Sequence, residues 1–351
     1  MLIEELVPEV SNWKKYTAQN LSCCVVGFGK MGILHAGILN LLKKNLVKSV
    51  VDNGRLLTFG ASKFIKSIRF YGNLETMLRK ENPDMVYITT PSSSHYTIMN
   101  RLFESDIKHI FVEKPPAVNS RELTLLIDKA GNNHSIMVGL QKRYALPFRH
   151  VKTLIDEKVI GEILEGYSYI KSSDIMTPTK RFDQIGRGVL LDLGIHLLDL
   201  LIWSLGVETV ESSRQRSIYT KVDDYFEAKL RTAAGAKISM EVSWSNRNYR
   251  LPETYIELKG SMGTMKVTED YLRVETKDEH PLLNGQKELE LYKPNYYRDI
   301  LPVNLGDPEY TLENLHFLSS IHTRKEPLTS LRNTVKTMNL IEKLYKRSRD
   351  N

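Results

Sequence analysis

The chain has 351 residues, more than one hydrophobic core usually supports, and its length predicts two domains. Hydrophobic residues make up 41% of it and charged residues 26%, a balance that is typical of globular proteins and argues against disorder. The net charge of +7 comes from basic residues spread among nearly as many acids, with no zinc-finger spacing and no RNA-binding aromatic signature. We therefore expect no nucleic-acid partner. Because no apolar run is long enough to cross a bilayer, we expect no membrane partner either.

Residues 1–20 form a predicted N-terminal extension whose apolar residues share one helical face. The extension carries acidic residues, Glu4 and Glu5, close to its start and lacks the basic-then-apolar order of a secretory signal. The only two cysteines, Cys23 and Cys24, are adjacent in an apolar run, which excludes a disulfide framework. Together these features predict a cytoplasmic protein.

A glycine-rich turn follows the first predicted strand, 21–26. Gly27, Gly29 and Gly32 have the spacing G-x-G-x-x-G, and a helical pattern begins after them. The first glycine permits a tight turn, the second a close approach to a pyrophosphate, and the third close packing of helix on strand. The run 47–52 ends at Asp52, 20 positions after Gly32, where a carboxylate binds ribose hydroxyls. The stretch predicts a dinucleotide site, with the pyrophosphate at the helix N-terminus. The residues assigned to it are Gly27, Phe28, Gly29, Lys30, Met31, Gly32 and Asp52.

Strand-like and helical runs alternate from residue 21 to about residue 118, which predicts a doubly wound parallel sheet of the Rossmann type in a first domain, 21–145. Ligands of such sheets bind outside the carboxyl ends of the strands. Three further segments, 89–95, 113–116 and 139–144, are expected at that edge. The residues in them assigned to the cofactor are Thr90, Pro91, His95, Glu113 and Lys114.

The pattern changes in the second predicted domain, 146–330, where strand-like runs are joined by short turns. Such a pattern predicts an α+β domain with an open mixed or antiparallel sheet and helices on one face. The other face needs cover, so we expect a homodimer or homotetramer formed through this sheet. The region 281–308 is predicted to be a loop over the site, and 331–351 a C-terminal helix with a basic tail.

A predicted buried helix carries Asp192 and His196, four positions apart and therefore on one face, and Asp199 three positions later. Buried charges require a partner, because an unpaired one is costly. An internal Asp–His hydrogen bond, a metal site and a proton-transfer pair are the three interpretations. No further ligand clusters with these residues, so no metal is assigned. The proton-transfer pair fits best, since histidine titrates near neutral pH and a carboxylate orients it.

Five motifs together resemble the glucose–fructose oxidoreductase and inositol dehydrogenase family (Gfo/Idh/MocA). In the family's order they are the glycine turn with His35, Thr90-Pro91 with His95, Glu113-Lys114-Pro115, Gly139 with Arg143, and Asp192, His196 and Asp199. The resemblance implies an NAD(P)-dependent enzyme acting on sugars, sugar derivatives or cyclitols. It implies that Lys114 lies beside the nicotinamide, that Asp192 and His196 complete the catalytic set, and that the Lys114–Pro115 peptide is cis.

The chain departs from the family pattern at Arg187, which stands between Gly186 and Gly188 where relatives often have three glycines in a row. An arginine here either clamps a phosphate or carboxylate of the substrate or lies exposed in a loop. With Lys180 and Arg181 nearby, the carbohydrate-like substrate is expected to be anionic. The residues assigned to substrate binding are Arg143, Arg187 and Asp199.

The resulting hypothesis is reversible hydride transfer between nicotinamide and a secondary alcohol or ketone of a sugar, sugar phosphate, nucleotide sugar or cyclitol. His196 is the general base, Lys114 stabilises charge on the reacting oxygen, and Asp192 orients the pair. Asp52 favours NAD, while Asn53-Gly54-Arg55 leaves room for NADP. The alternatives are a lyase or glycosidase that uses transient oxidation by NAD, and a regulator that binds the cofactor without chemistry.

Overall fold

A computed structural model describes residues 7–54, 65–174, 187–249, 251–297 and 301–349. The described chain forms two compact units. The first consists of Pro8–Leu140 and Ile300–Val335, and the second mostly of Gln141–Asp299 and Lys336–Asn351. None of the helices in the described ranges is long and apolar enough to span a bilayer.

The first unit is built on a six-stranded parallel sheet with strand order β3-β2-β1-β4-β5-β6. This order reverses between β1 and β4, as in the predicted doubly wound sheet. The central strands are buried at every residue, because helices cover both faces. The strands are β1 (Cys23–Val26), β2 (Val47–Val51), β3 (Arg69–Tyr71), β4 (Met85–Ile88), β5 (His109–Glu113) and β6 (Ser135–Gly139).

Helices connect these strands. The described helices up to β6 are α1 (Pro8–Ser11), α2 (Trp13–Thr17), α3 (Lys30–Leu42), α4 (Leu74–Lys80), α5 (His95–Leu102) and α6 (Ser120–Ala130). The sequence prediction did not include α6 and β6. The start of α6 is marked by Asn119, whose side chain accepts a hydrogen bond from the backbone N–H of Glu122 at 2.8 Å. An asparagine followed three positions later by a glutamate was therefore the signal for this helix.

The second unit contains an eight-stranded mixed sheet with strand order β14-β13-β12-β11-β7-β10-β9-β8. Only β7 and β10 pair in parallel, and the other neighbours are antiparallel. The strands are β7 (Ile163–Lys171), β8 (Val207–Arg216), β9 (Tyr225–Thr232), β10 (Lys237–Ser243), β11 (Glu253–Gly260), β12 (Gly263–Val267), β13 (Tyr271–His280) and β14 (Gln286–Tyr292). Buried and half-exposed residues alternate along the central strands, so the sheet has one covered face and one open face, as predicted.

The covered face of this sheet is packed by α7 (Leu146–Asp156) and α8 (Ile195–Leu205). The prediction of a loop over 281–308 was wrong, because β14 and the short α9 (Lys293–Tyr297) lie within it. Leu289 and Leu291 of β14 pair with Val274 and Leu272 of β13, which explains why this polar stretch is extended. Within the described part of this region, turns and bends occur at 281–285 and 301–307.

Two helices end the chain, α10 (Pro308–Thr323) and α11 (Val335–Arg349). Helix α10 belongs to the first unit, where it packs on α1, α2 and α3, whereas the sequence prediction assigns 146–330 to the second domain. The difference arises because the chain returns to the first unit after completing the second sheet. No local signal in the sequence marks such a return.

Gly32 and Gly29 offer a matched test of the packing in the first unit. A Cβ on Gly32 would lie 2.0 Å from the carbonyl oxygen of Gly27, whereas a Cβ on Gly29 meets nothing within 4 Å. We expect Gly32→Ala to destabilise the unit by about 3 kcal/mol, which corresponds to roughly 10 °C in Tm. Gly29→Ala should cost less than about 1 kcal/mol. Thermal unfolding of the two variants followed by circular dichroism checks this, and equal Tm values would contradict the packing described.

Candidate active site

The glycine turn after β1 has the geometry of a phosphate-binding cradle. Gly27 has a φ of +95°, which only glycine adopts readily, and its carbonyl accepts a hydrogen bond from the hydroxyl of Thr89 at 2.6 Å. Gly29 is the N-cap residue of α3, and no side chain caps the helix there. The first N–H groups of α3 and its dipole therefore point to the open space beside Gly29, where an anion is stabilised.

Asp52 lies at the end of β2 beside this turn. Its Oδ2 accepts a hydrogen bond from the backbone N–H of Phe28 at 2.7 Å, and its Oδ1 accepts one from Gly54 at 2.7 Å. Each carboxylate oxygen can accept a further hydrogen bond, so the group is fixed in place while able to bind ribose hydroxyls. Lys30 is exposed and Met31 half-buried at the start of α3. The cradle and the carboxylate fit the pyrophosphate and ribose of a dinucleotide.

His95 connects two loops at the same edge of the sheet. Its buried ring places Nε2 2.8 Å from the carbonyl oxygen of Thr90 and Nδ1 2.9 Å from that of Pro115. Burial lowers the pKa of this histidine. The hydroxyl of Thr90 accepts a hydrogen bond from Ser94 at 2.7 Å, and Pro91 is exposed. Contact of Thr90, Pro91 and His95 with a cofactor stays a prediction.

The segment after β5 carries Lys114. The Lys114–Pro115 peptide is cis, as the family resemblance implied. The backbone N–H of Lys114 donates to Oε2 of Glu113 at 3.2 Å, and Oε1 of Glu113 lies 3.1 Å from Nε2 of His35. Sequence reasoning did not connect His35 with Glu113, which are 78 positions apart.

In the second unit, Leu190–Gly194 forms a π-helical turn that continues into α8. Asp192, His196 and Asp199 are only 5%, 4% and 1% exposed, as expected for polar side chains on a buried helix. The π turn was not predicted, and such turns occur frequently at functional sites. Within the part of the chain that the structure describes, no three His, Cys, Asp or Glu side chains are arranged to hold a metal ion.

Arg143 and Asp199, both assigned to substrate binding, form a buried bidentate ion pair. Nε and Nη2 of Arg143 lie 2.5 and 2.6 Å from the two oxygens of Asp199. Thr337 donates to the same carboxylate at 3.3 Å, and the guanidinium lies 5.6 Å from the ring centroid of Trp203. Burial raises the pKa of Asp199, although the charge of Arg143 opposes that rise. Their contact with substrate stays a prediction, and the structure gives the two residues a role in fixing α8.

Arg187 is also paired within the second unit. Its Nη1 lies 3.0 Å from Oε1 of Glu342, and its guanidinium lies 5.3 Å from the ring centroid of Tyr345. The proposed substrate clamp stays a prediction. Lys180, Arg181 and Gly186 lie outside the described residues.

Asp223 anchors the start of the π turn and was missed by sequence reasoning. Its backbone carbonyl accepts a hydrogen bond from Val189 at 2.7 Å, and its carboxylate accepts from Leu190 N at 3.1 Å and from the hydroxyl of Tyr345 at 3.1 Å. A Cβ on Gly188 would lie 2.2 Å from the Asp223 carbonyl oxygen, so this approach requires glycine. Burial raises the pKa of Asp223 to about 6.

Comparison with known proteins finds similarity along most of the chain. A family model described as an oxidoreductase family with an NAD-binding Rossmann fold matches residues 21–140. A second model, described as the GFO/IDH/MocA C-terminal domain, matches residues 148–266. Among curated proteins, the D-apiose dehydrogenase of Paraburkholderia graminis is 24% identical over 308 residues, which span 85% of this chain and 79% of that protein.

Solved structures share the fold. A levoglucosan dehydrogenase in complex with NADH and levoglucosan aligns with a TM-score of 0.81 at 19% identity, over 95% of this chain and 98% of that chain. The WlbA dehydrogenase of Bordetella pertussis, in complex with NADH and UDP-GlcNAcA, aligns with a TM-score of 0.78 at 20% identity, over 95% and 97% of the two chains. At these identities the likeness establishes the fold.

The raised pKa of Asp223 predicts a pH-dependent contribution to stability. The folded pKa of about 6 exceeds the unfolded value of about 3.9, so the folded state binds the proton more tightly. This contribution favours folding below about pH 4 and is lost as the pH rises to about 6. Asp223→Asn does not titrate, and its amide can accept from Leu190 while donating to the hydroxyl of Tyr345. Relative to wild type, the variant should gain stability between pH 4 and 6, by up to about 3 kcal/mol.

Differences in Tm between wild type and Asp223→Asn at about pH 3.5, about pH 5 and about pH 7 measure this gain, because these settings bracket the two pKa values. Asp278→Asn, at an exposed position in β13, is the matched control and should show no such trend. A difference in Tm that does not change with pH would contradict the prediction.

Proposed function

The chain belongs to the GFO/IDH/MocA family of NAD-binding oxidoreductases, and from this premise we propose that it transfers hydride between the nicotinamide and a CH–OH carbon of a carbohydrate-like substrate. The substrate class is a sugar, sugar phosphate, nucleotide sugar or cyclitol. The observation that carries the proposal is the cradle at Gly29 with Asp52 fixed beside it. It is supported by the presence of Lys114, Asp192 and His196, which the resemblance to the family assigns as the catalytic set.

The cofactor is NAD. The carboxylate of Asp52 is held by two backbone N–H groups in a position suited to the adenosine ribose, and a negative charge there repels the 2′-phosphate of NADP. Use of NADP requires a cation close to Asn53 and Gly54. Arg55, which could supply it, lies outside the described residues.

Bound NAD supplies the acceptor for the hydride that leaves the substrate carbon. His196 takes the proton of the substrate hydroxyl as a general base, and returns it when the reaction runs toward the alcohol. Lys114 donates a hydrogen bond to the same oxygen and stabilises the negative charge that develops on it. Asp192 orients the imidazole. The burial of Asp192 and His196 favours this assignment, because charge interactions are stronger where water is excluded.

An anionic substrate stays a prediction with a specific requirement. The charge of Arg187 is already balanced by Glu342, and that of Arg143 by Asp199. Binding of a phosphate or carboxylate by either arginine therefore means exchanging one carboxylate partner for another. A neutral sugar or cyclitol needs no such exchange, since its hydroxyls can bond to the paired groups.

The open face of the eight-stranded sheet is proposed to bind a second copy of the chain. Tyrosine side chains lie on it, with the rings of Tyr169 and Tyr255 stacked at 5.1 Å, and ion pairs such as Lys171–Glu241 flank them. Tyrosine is enriched at interfaces, and a surface with both charge signs can pair with itself about a two-fold axis. We infer a homodimer or homotetramer formed through this face.

A reducing compartment, the cytoplasm, is proposed from the two cysteines. Both thiols are free and buried, and burial raises the pKa of Cys23 and raises that of Cys24 to about 12. Neither thiol is therefore reactive at neutral pH.

The catalytic assignment is tested by Lys114→Ala and His196→Ala. We expect each to lower turnover by about 10²- to 10⁴-fold, because each removes an interaction that strengthens in the transition state. The Kd for NAD⁺ should change by less than about threefold, because neither side chain forms the phosphate cradle or the ribose site. The substrate is identified first, by screening sugars, sugar phosphates, nucleotide sugars and cyclitols with NAD⁺ and NADP⁺. Turnover is measured from the absorbance of the reduced nicotinamide.

Lys108→Ala, an exposed lysine just before β5, is the control and should retain full turnover. Full activity of either catalytic variant would remove its assignment. Substrate cleavage without release of reduced cofactor would favour the lyase or glycosidase alternative. Binding of NAD⁺ without turnover on any substrate would favour a regulator.

The assembly is tested by Tyr255→Glu, which places an extra carboxylate on the open sheet face. Wild type should have the mass of a dimer or tetramer by light scattering during size-exclusion chromatography, and the variant a smaller mass, because like charges would meet across the interface. Lys80→Glu, on an exposed part of α4, should leave the mass unchanged. A monomeric wild type would refute the proposed interface.

A further inference from the structure

His35 is a buried histidine that the proposed chemistry does not use. It lies on α3 with no exposed surface, among the rings of Phe111 at 4.8 Å, Tyr87 at 5.5 Å and Tyr310 at 6.1 Å. A polar ring in such an aromatic cage needs hydrogen-bond partners, because desolvation without them is costly. Its two nitrogens have such partners, Glu113 and Asn314.

The hydrogen-bond network determines which nitrogen of His35 carries the proton. Nδ2 of Asn314 donates to the carbonyl oxygen of Tyr310 at 2.7 Å, which fixes the orientation of the amide. The same nitrogen lies 2.9 Å from Nδ1 of His35, so Nδ1 must accept. The ring proton is therefore on Nε2 and is donated to Oε1 of Glu113 at 3.1 Å. Asn314 on helix α10 therefore determines that His35 on α3 donates its Nε2–H to Glu113 on β5.

The carboxylate of Glu113 is confined on its other side as well. Its Oε2 accepts the backbone N–H of Lys114 at 3.2 Å. A Cβ on Gly139 would lie 3.1 Å from that oxygen, so the glycine at the end of β6 makes room for it. The hydrogen bond from His35 therefore holds a group that directly holds the backbone of Lys114.

A second acidic residue, Glu313, interacts electrostatically with Glu113. Glu313 on α10 is fully buried, and neither of its oxygens has a hydrogen-bond partner among the residues that the structure describes. Burial raises the pKa of Glu313 well above its usual value, with a further rise from the charge of Glu113. Both effects favour the protonated form of Glu313.

We propose that His35 is a positioning residue for Lys114. Its Nε2–H fixes the Glu113 carboxylate, which in turn fixes the backbone from which the lysine amine extends. Beyond the lysine, Nδ1 of His95 lies 2.9 Å from the carbonyl oxygen of Pro115, so rings from two helices contact the segment on either side of Lys114. This inference rests on the proposed role of Lys114. The network would hold the lysine amine at the distance that the reaction needs, since a displacement of about 1 Å can cost about 10²-fold in rate.

Two substitutions of His35 separate its two hydrogen bonds. The amide nitrogen of glutamine reaches the position of Nε2, so His35→Gln keeps a donor to Glu113. Asparagine reaches only the position of Nδ1, so His35→Asn keeps contact with Asn314 and loses Glu113. Both variants exchange an aromatic ring for an amide in the same cage, and their Tm values should fall by similar amounts. Any difference between the two variants in amide exchange at Lys114 or in turnover therefore reports on the loss of the hydrogen bond to Glu113.

The first measurement needs no substrate. Hydrogen–deuterium exchange is followed by mass spectrometry in the full chain with saturating NAD⁺, over the peptide that contains the backbone amide of Lys114. We expect exchange about tenfold faster in His35→Asn and close to wild type in His35→Gln. Equal exchange in both variants would overturn the proposal.

The second measurement compares kcat and KM on the substrate with the highest turnover in the screen. His35→Asn should lower kcat by about tenfold or more with little change in the KM for NAD⁺, and His35→Gln should restore kcat to within about threefold of wild type. Lys114→Ala is measured in parallel. If Lys114→Ala is inactive while both His35 variants are fully active, the positioning role fails and the catalytic role of Lys114 stands. If Lys114→Ala is active, the catalytic role fails, and exchange at Lys114 still decides whether His35 holds the segment.

Glu113→Gln is the variant to use if His35→Asn does not fold. Glutamine has the same shape as glutamate, and the side chain at position 113 is less buried than that of His35. Nε2 of His35 is a donor, so the amide oxygen of the glutamine faces it. The amide nitrogen then faces the Lys114 N–H, from which it cannot accept. Exchange at the Lys114 amide should again rise about tenfold. Unchanged exchange in this variant would also overturn the proposal.

Discussion

The first unit depends on the close approach of helix α3 to the end of strand β1. A side chain at Gly32 would overlap the carbonyl oxygen of Gly27, so helix and strand meet there without one. This contact directs the first turn of α3 toward the carboxyl edge of the sheet, where its N–H groups can bind an anion. His35 follows about one turn later and reaches Glu113 on a different strand. One backbone contact therefore supports both the proposed phosphate cradle and the segment that carries Lys114.

The second unit uses a similar device around its polar helix. Gly188 allows the backbone of Asp223 to come close, and Asp223 then binds the backbone at Val189 and Leu190. The π turn that follows carries Asp192, and α8 carries His196. The buried pair of Arg143 and Asp199 secures the same helix one turn later. In each unit a glycine lets two backbone segments come into close contact, and a carboxylate then accepts a hydrogen bond that fixes a neighbouring segment.

Local patterns in the sequence predicted much of this architecture. The glycine spacing, the alternation of strands and helices, and the change to strand-rich sequence after residue 150 each depend on neighbouring residues, and the structure contains the two sheets they indicate. The cis peptide before Pro115 followed from the family resemblance. The ends of several elements differ by a few residues, because caps and edge pairing decide where a helix or strand stops.

Long-range pairing explains what the sequence did not reveal. Arg143 and Asp199 are 56 positions apart, and Tyr345 lies 122 positions from Asp223. Nothing in the local pattern of either partner indicates the other, because such pairs exist only after the chain has folded. Strand β14 was missed for the same reason, since its few apolar residues indicate a strand only when they are paired with those of β13.

The path of the chain has a consequence for dissecting this protein into parts. The first unit is completed by α10, which arrives more than 160 positions after β6 and supplies Asn314 to the ring of His35. A fragment cut after residue 145 would contain every strand of the parallel sheet and every glycine of the turn. It would nevertheless leave a polar ring facing an empty groove where the late helix belongs. A cofactor-binding half for separate study is better made by joining the early segment directly to the late helix than by truncation.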